Sequence, residues 1–306
     1  MPVALRNRSV RWTTGALIRK KQNSLVWFAR SSFVARDTVH GLVRRGILAS
    51  VVAANPMFHL SGKTALVTGS ATGLGQAIAV ALARNGASVA ISDKNVELLS
   101  ETEALLESIP VQVVKVGIDV RNLSQIRAGI ELVEKTFGRI DILVNNAGIN
   151  HPAKGTEVTV ENWEEHFDTN VRGGFFAAQA AVRGMMTRSW GRIIFVSSQS
   201  GVIGIPGQPV YCATKGAVIQ LVKALGLEWA KYGITVNSIA PTFVETNLTR
   251  DRLKNPEFLK FVLGKIPCGK LATPEHVAAA AVYLASEEAA MVNCETHLVD
   301  GGWTAW

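Results

Sequence analysis

The chain has 306 residues, of which 48% are hydrophobic and 18% are charged, so it is long and apolar enough to bury a full core. This composition excludes an intrinsically disordered chain. Its three cysteines, Cys212, Cys268 and Cys294, are odd in number and lack C-x-x-C spacing, which argues against a disulfide framework and a zinc ribbon. We expect a globular protein of a reducing compartment with no metal site.

The net charge of +8 is concentrated at the start of the chain. Residues 1–58 contain eight Arg and two Lys but a single acidic residue, Asp37. Residues 59–306 contain 22 basic and 23 acidic residues, a net charge of −1. A nucleic-acid-binding domain carries a basic surface, so this near-neutral remainder excludes nucleic acid as its partner.

Residues 1–58 form a basic N-terminal extension with three open interpretations. The extension is rich in Arg and Ser and poor in acids, which is typical of a transit peptide and predicts a mitochondrial or other organellar location. Arg44 and Arg45 precede a short apolar stretch, as in a twin-Arg export signal. Met57 is the third alternative, a biological start that leads directly into the first strand and predicts a cytoplasmic protein. No apolar run reaches the ~18 residues of a membrane-spanning helix.

From residue 63 onward, short β-branched runs alternate with segments of helical periodicity. Strands are predicted at 65–68, 89–92, 113–118, 140–145, 193–197, 235–239 and 297–299. Helices are predicted at 74–85, 96–107, 124–137, 161–187, 210–232 and 274–284. This alternation predicts an α/β fold, in which about seven parallel strands form a doubly wound sheet with helices on both faces. The absence of a Pro/Ser-rich linker after residue 58 predicts a single domain over 59–306.

Glycines at positions 69, 73 and 75 lie between the first predicted strand and the first predicted helix. Glycine allows the backbone to turn sharply and to approach a pyrophosphate, whose charge the helix N-terminus stabilises. Asp93 follows Gly75 by 18 residues and ends the second strand, where it would bind the adenosine ribose hydroxyls and repel a 2′-phosphate. The pattern predicts NAD rather than NADP, although Lys94 could pair with such a phosphate. Alternatively, Asp93 caps the following helix.

Tyr211 and Lys215 are four residues apart at the start of a long helical pattern, so they share one helix face. The ordinary tyrosine pKa of about 10 is too high for a base at neutral pH. A nearby lysine cation stabilises the phenolate, so Lys215 is expected to lower the pKa of Tyr211 and make it a general acid or base.

These motifs occur together with several others. Thr68-Gly69-x-x-x-Gly73-x-Gly75 and Tyr211-x-x-x-Lys215 are joined by Asn145-Asn-Ala-Gly148, Asp119-Val120, Asn170 and Ser198. In this combination the sequence resembles the short-chain dehydrogenase/reductase family over residues 59–302. The resemblance implies a single-domain Rossmann fold, an NAD(P)-dependent reaction at a CH–OH group, and a homotetramer or dimer.

The resemblance also implies site residues. In catalysis, Ser198 would polarise the substrate oxygen, Tyr211 transfer the proton, Lys215 bind the nicotinamide ribose and Asn170 hold a relay water. Cofactor contacts are implied for Gly69, Ser70, Thr72, Gly73, Leu74, Gly75, Asp93, Asp119, Val120, Asn146, Ala147, Gly148, Tyr211, Lys215, Val244 and Thr246. Asp119 would contact the adenine amino group. Thr242 departs from the glycine often found in the family's Pro-Gly loop, which weakens the assignment of Val244 and Thr246.

Loop composition suggests the substrate class. The side chains of Asn150, His151, Gln199, Arg250 and Arg252 could bind hydroxyls and a carboxylate. Residues 145–151 and Val299-Asp-Gly-Gly302 resemble gluconate-type and polyol dehydrogenases of the family, which favours a secondary alcohol or ketone on a sugar, polyol or sugar acid.

Three alternatives stay open. A 3-oxoacyl thioester reductase is one, although an NADP preference would conflict with Asp93. A non-catalytic NAD-sensing or scaffold protein is another, although intact Ser198, Tyr211 and Lys215 argue against it. In the third, the basic extension is an arm that binds a membrane surface or a partner.

Overall fold

Seven runs rich in β-branched residues form one sheet in the computed structural model, which describes residues 57–305. The strands are β1 (Thr64–Thr68), β2 (Ser88–Asp93), β3 (Val113–Gly117), β4 (Ile142–Asn145), β5 (Gly191–Val196), β6 (Ile234–Pro241) and β7 (Thr296–Val299). Every neighbouring pair is parallel, and the order is β3-β2-β1-β4-β5-β6-β7. This observation confirms the predicted fold class.

Helices connect the strands. They are α1 (Gly73–Arg84), α2 (Leu99–Leu106), α3 (Leu123–Phe137), α4 (Val160–Phe167), α5 (Gly174–Arg188), α6 (Pro209–Trp229), α7 (Arg250–Leu253), α8 (Pro256–Lys265) and α9 (Pro274–Ala285). Short 3₁₀ turns add Val96–Leu98, Gln199–Gly201, Ala230–Tyr232 and Trp303–Ala305. The first helix ends at Arg84, one residue before its predicted end, and Gly86 follows it with a φ of 98°, a left-handed conformation that is common just after a helix.

Two apolar clusters cover the two faces of the sheet. Along β1, Ala65 and Val67 belong to one cluster, which α1 and α9 complete, and Leu66 belongs to the other, which α3, α5 and α6 complete. Successive strand residues point to opposite faces, so all five residues of β1 are buried. The strands therefore form a rigid central layer, and the carboxyl ends of the strands lie at one edge.

The order in which strands are added to the sheet reverses between β1 and β4. The strands β2 and β3 lie on one side of β1, and the strands β4 to β7 follow one another on its other side. Parallel α/β sheets bind ligands in the crevice that this reversal opens at the carboxyl ends of the strands. The glycine-rich turn follows β1, and Asn146 follows β4, so both predicted motifs lie at that crevice.

Two predictions about helices were wrong. The helix predicted over 161–187 is interrupted by a π-helical segment, Asp168–Gly173, which contains Asn170. The segment 247–268, for which no helix was predicted, forms α7 and α8. The interpretations of the basic extension, and with them the predicted location, lie outside the described residues, apart from Met57 and Phe58.

Candidate active site

A cleft of about 310 Å³ opens at the carboxyl ends of the central strands. Most of the catalytic and cofactor-binding residues that were predicted from the sequence line this cleft. The predicted residues that line it are Gly69, Thr72, Gly73, Leu74, Asp93, Asp119, Val120, Asn146, Ala147, Gly148, Ser198, Tyr211, Lys215, Val244 and Thr246. These residues are spread over 178 positions of the chain and meet because parallel strands end at one edge of the sheet.

Two predicted cofactor residues, Ser70 and Gly75, lie behind the cleft rather than on its lining. The Ser70 side chain is fully buried, and its Oγ accepts a hydrogen bond from the Ser92 backbone N–H at 2.7 Å. A Cβ atom on Gly75 would lie 2.2 Å from the Gly69 carbonyl oxygen and 2.4 Å from Asn146 Nδ2. Ser70 therefore joins the ends of β1 and β2, and Gly75 allows α1 to pack against the turn.

The turn after β1 fits a dinucleotide pyrophosphate. Gly69 and Gly73 adopt φ values of 63° and 61°, which favour glycine, and a Cβ on Gly69 would lie 2.8 Å from Ala147 Cα. The N-cap residue of α1, Thr72, makes no side-chain hydrogen bond to the first turn. The N-terminal N–H groups of α1 are therefore available to an anion in the cleft.

Asn146 holds the turn in place. Its Nδ2 donates hydrogen bonds to the carbonyl oxygens of Thr68 and Gly69 at 3.0 and 2.8 Å. The backbone N–H groups of Asn146 and Ala147 donate to Thr68 Oγ1 at 3.1 and 3.2 Å. These bonds connect the ends of β1 and β4 and fix the glycine-rich turn against the opposite wall of the cleft.

Two acidic residues line the end of the cleft predicted for adenosine. Asp93 Oδ1 accepts a hydrogen bond from the Asn95 backbone N–H at 3.1 Å, so the carboxylate also caps the following turn. The Asp119 carboxylate pairs with the Arg121 side chain at 2.8 Å. The Arg121 hydrogen bond holds the pKa of Asp119 below its ordinary value. Arg121 lines the cleft and was missed by the sequence analysis.

Asn170 lies beneath the cleft in the π-helical segment, and its amide is occupied by protein groups. Its Oδ1 accepts the Ile149 backbone N–H at 2.8 Å. Its Nδ2 donates to the Ile149 carbonyl at 3.0 Å and to Thr214 Oγ1 at 3.1 Å. Asn170 therefore fixes the loop after β4 against α6, and its predicted part in a water relay stays a prediction.

Ser198, Tyr211 and Lys215 meet where β5 ends and α6 begins. Lys215 Nζ lies 5.5 Å from the centroid of the Tyr211 ring and donates a hydrogen bond to the Val196 carbonyl at 2.8 Å. Ser198 Oγ accepts the backbone N–H of Ser200 at 3.1 Å, which fixes its hydroxyl at the cleft wall. The spacing predicted from the sequence therefore places the phenol and the ammonium on one side of the cleft.

The predicted effect of Lys215 on Tyr211 was wrong for the chain alone. Burial raises the pKa of Tyr211 to about 12, and the Ser198 hydroxyl only partly opposes this rise. Burial also lowers the pKa of Lys215 to about 8. Desolvation disfavours both charged forms, and the ammonium is directed at the Val196 carbonyl, so it does not compensate for the burial of the phenolate.

The arrangement suits carbonyl reduction. A nicotinamide dinucleotide bound in this cleft would supply the hydride. The substrate oxygen gains negative charge as the carbonyl carbon gains hydride, and the Ser198 hydroxyl can donate a hydrogen bond to that oxygen. Tyr211 is protonated at neutral pH because its pKa is about 12, so it can deliver the proton that completes the alcohol. In the reverse direction Tyr211 must first lose its proton.

Further lining residues come from the loop that follows β6. Thr242, Asn247, Leu248 and Thr249 line the cleft, and the buried Thr242 Oγ1 has no hydrogen-bond partner among the described residues. Asn255 caps α8 and precedes Pro256, and this pair is the sequence signal from which α8 could have been predicted. Arg250, a predicted substrate contact, is exposed and lies in a second cavity beside α1 and α2.

The fold and the cleft define a dinucleotide-dependent oxidoreductase, and comparisons with known proteins agree. Residues 69–304 match the family profile described as enoyl-(acyl carrier protein) reductase. Gluconate 5-dehydrogenase of Gluconobacter oxydans is 35% identical over 248 residues, which cover 81% of this chain and 97% of that protein. D-threitol dehydrogenase of Mycolicibacterium smegmatis is 38% identical over 249 residues, which cover 81% and 95%.

Two further relatives complete the comparison. A 3-oxoacyl-(acyl-carrier-protein) reductase of Vibrio cholerae is 39% identical and is matched over 80% of this chain and 98% of its own. The crystal structure of a gluconate 5-dehydrogenase from Burkholderia cenocepacia, in complex with NADP and tartrate, superposes with a TM-score of 0.79 at 36% identity, covering 81% of this chain and 98% of that one. The chain belongs to the short-chain dehydrogenase/reductase family. It is an oxidoreductase that acts on CH–OH groups with a nicotinamide cofactor.

Tyr211→Phe tests the proton-transfer role. Removing the hydroxyl should lower turnover by about 10²- to 10⁴-fold, the usual contribution of a general acid, while NADH binding followed by fluorescence stays nearly unchanged. Tyr232→Phe, at a tyrosine outside the cleft, is the matched control and should keep wild-type activity. Full activity in Tyr211→Phe would contradict the assignment.

The pKa values predict a pH profile for ketone reduction. As the pH rises through about 8, Lys215 loses its charge, whereas Tyr211, with a pKa of about 12, keeps its proton. We expect kcat/KM to be level below pH 8 and to fall about tenfold per pH unit above it, the slope for loss of one essential proton. Lys215→Met should be less active and should lack this break. A wild-type profile that stays level to pH 10 would show that the Lys215 charge is not needed.

Proposed function

We propose that the protein uses NAD(H) to interconvert a secondary alcohol and a ketone on a sugar, polyol or sugar acid. The observation that carries this proposal is a set of three amide side chains with unused hydrogen-bonding capacity, which adjoin cleft residues in the sequence. Hydroxyl-rich substrates satisfy such groups, whereas an apolar chain leaves them unpaired at a cost of about 1–3 kcal/mol each.

Three side chains form this amide group: Asn150, Gln199 and Gln208. Gln199 is 1% exposed, and neither its Oε1 nor its Nε2 has a partner among residues 57–305. Gln208 is 3% exposed, and its Oε1 accepts a hydrogen bond from Asn150 Nδ2 at 2.5 Å. The Gln208 Nε2 and Asn150 Oδ1 atoms have no partner in the same part of the chain.

These amides are not among the residues that line the cleft, but each lies close in the sequence to a residue that does. Gln199 directly follows Ser198, and Gln208 precedes Tyr211 by three residues as the N-cap of α6. Asn150 follows the cleft residues Gly148 and Ile149. His151, another predicted contact, is exposed, and its backbone N–H donates to His166 Nε2 at 3.0 Å. The structure therefore gives no support to His151 as a substrate contact.

Asp93 supports NAD as the cofactor. It lines the cleft at the end of β2, where its carboxylate can accept hydrogen bonds from two ribose hydroxyls and repels a 2′-phosphate. Lys94 is exposed next to it and lines the same cleft, so some use of NADP is compatible with this arrangement. The NADP in the Burkholderia cenocepacia structure indicates that related proteins accept the phosphate.

A 3-oxoacyl thioester reductase is the second candidate function, favoured by the identity of 39% to the Vibrio cholerae enzyme. The amide group of Asn150, Gln199 and Gln208 argues against this second function, because an acyl chain would leave the amides unpaired.

The exposed face of α6 suggests how the protein associates. Leu227 lies on α6 and is exposed, and we propose that this helix face associates in a homo-oligomer. The segment Pro209–Tyr232, which contains α6, is the single described stretch long and apolar enough to cross a membrane, and it packs against β6 within the fold.

A substrate panel tests the function. Reduction of NAD⁺ and NADP⁺ is followed by absorbance with sugar acids, polyols and secondary alcohols, and oxidation of NADH and NADPH with 3-oxoacyl thioesters. We expect turnover of a hydroxyl-rich substrate with NAD⁺, because such a substrate satisfies the amide group. Turnover of thioesters with NADPH and of nothing else would establish the second candidate instead.

Asp93→Ala tests the cofactor preference separately. The wild-type protein should favour NAD⁺ over NADP⁺ by at least about tenfold in kcat/KM, which corresponds to about 1.4 kcal/mol of repulsion. The variant should lose this preference, mainly through a lower KM for NADP⁺, because the repulsion is removed. Glu97→Ala, in the exposed turn after β2, is the control. A wild-type preference for NADP⁺ would overturn the proposal.

A further inference from the structure

Arg252 in α7 carries a partly buried guanidinium group without a partner. Its Nη1 atom is enclosed by protein and makes no hydrogen bond to any of the residues 57–305. Burial lowers the pKa of this guanidinium, and no carboxylate in the same part of the chain opposes that effect. A cation removed from water without a partner is costly, and proteins usually pair it.

The other arginines of the described chain that are not exposed all face a carboxylate. Arg139 and Arg188 lie 2.7 and 3.8 Å from Asp141, and Arg192 lies 3.4 Å from Glu287. Arg252 is the exception among residues 57–305. The lack of a carboxylate partner within residues 57–305 is therefore specific to this position.

Neighbouring contacts connect Arg252 to the wall of the cleft, although Arg252 is not itself among the residues that line it. Its Cζ lies 4.4 Å from the centroid of the Phe258 ring, and Phe258 packs edge-on against Phe243 with 5.5 Å between centroids. Phe243 lies between Thr242 and Val244, which line the cleft. The stacking holds the planar guanidinium in one orientation at little entropic cost.

The helix geometry leads to the same location. Thr249 lines the cleft and is the N-cap of α7, and the Leu253 backbone N–H donates to its carbonyl at 3.0 Å, so a regular turn begins there. Arg252 follows Thr249 by three residues, which places both on one side of that turn. Arg250 is exposed and belongs to the second cavity, so the two arginines of α7 face different surroundings.

A guanidinium fork matches a carboxylate through two parallel N–H to oxygen bonds. We propose that Arg252 binds the carboxylate of the substrate, so that the cleft selects sugar acids over neutral polyols of the same carbon chain. This inference rests on the proposed function and narrows its substrate class. The amide group would bind the hydroxyls, and Arg252 would fix the charged end of the molecule.

The test compares two six-carbon probes that differ at one end, D-gluconate and D-glucitol. Oxidation by NAD⁺ is measured for the wild-type protein and for R252M, R252K and R250M. In R252M we expect KM for gluconate to rise about 10- to 100-fold, the loss of a charged hydrogen bond, with kcat changed much less. The gluconate-to-glucitol ratio of kcat/KM should fall at least about tenfold, R252K should be intermediate, and R250M should match the wild type.

Two further measurements separate a binding role from a structural one. R252M should melt at the same temperature as the wild type or slightly higher, because it removes a partly buried cation that has no carboxylate partner among residues 57–305. In the wild type, added salt should raise KM for gluconate more than KM for glucitol, a result that does not depend on any variant folding.

Several outcomes would overturn the inference. One is a wild-type protein that oxidises glucitol as well as gluconate, and another is an R252M variant that loses both substrates equally or neither. A wild-type protein that oxidises neither probe and reduces only 3-oxoacyl thioesters would refute the proposed function, and the inference with it. This last result differs from the first two because no hydroxyl-rich substrate is then turned over.

Discussion

Desolvation of two side chains at the carboxyl end of β5 governs the chemistry of this cleft. Tyr211 and Lys215 are one turn apart on α6, and burial opposes the charged form of each. Tyr211 is therefore kept protonated, and Lys215 keeps its charge only up to a pH of about 8. The chain alone is set up to give a proton, which suits ketone reduction. Alcohol oxidation would need further positive charge near the phenol, which an oxidised nicotinamide bound in the cleft could supply.

The framework around these two residues depends on close backbone contacts. Gly75 allows α1 to approach the turn after β1, and Asn146 ties that turn to the end of β4. A larger side chain at Gly75 would meet the Gly69 carbonyl, so the turn and the helix could not keep their present positions. The anion-binding N–H groups and the proton donor are therefore held on one rigid sheet, an arrangement that limits the conformational freedom lost on binding.

Much of this organisation could be predicted from the sequence, because it depends on local periodicity and spacing. All seven strands were predicted, and the glycine turn, Asp93 and the Tyr211–Lys215 pair were placed on the right elements. Other features depend on tertiary contacts. The π-helical segment at Asn170 arises where α4 and α5 meet the loop at Ile149, and the raised pKa of Tyr211 arises from burial. Likewise, only the folded chain distinguishes the unpaired Arg252 from the exposed Arg250.

The central claim is that hydride passes between a CH–OH carbon and the nicotinamide. Isotope transfer tests this claim most directly. The protein is incubated with NAD⁺ and D-gluconate deuterated at its carbon-bound positions, and the product NADH is analysed by mass spectrometry. The account predicts NADH that is one mass unit heavier, formed by the wild-type protein and at least about a hundredfold more slowly by Tyr211→Phe. NADH without the label, or no NADH from any hydroxyl-rich substrate, would contradict it.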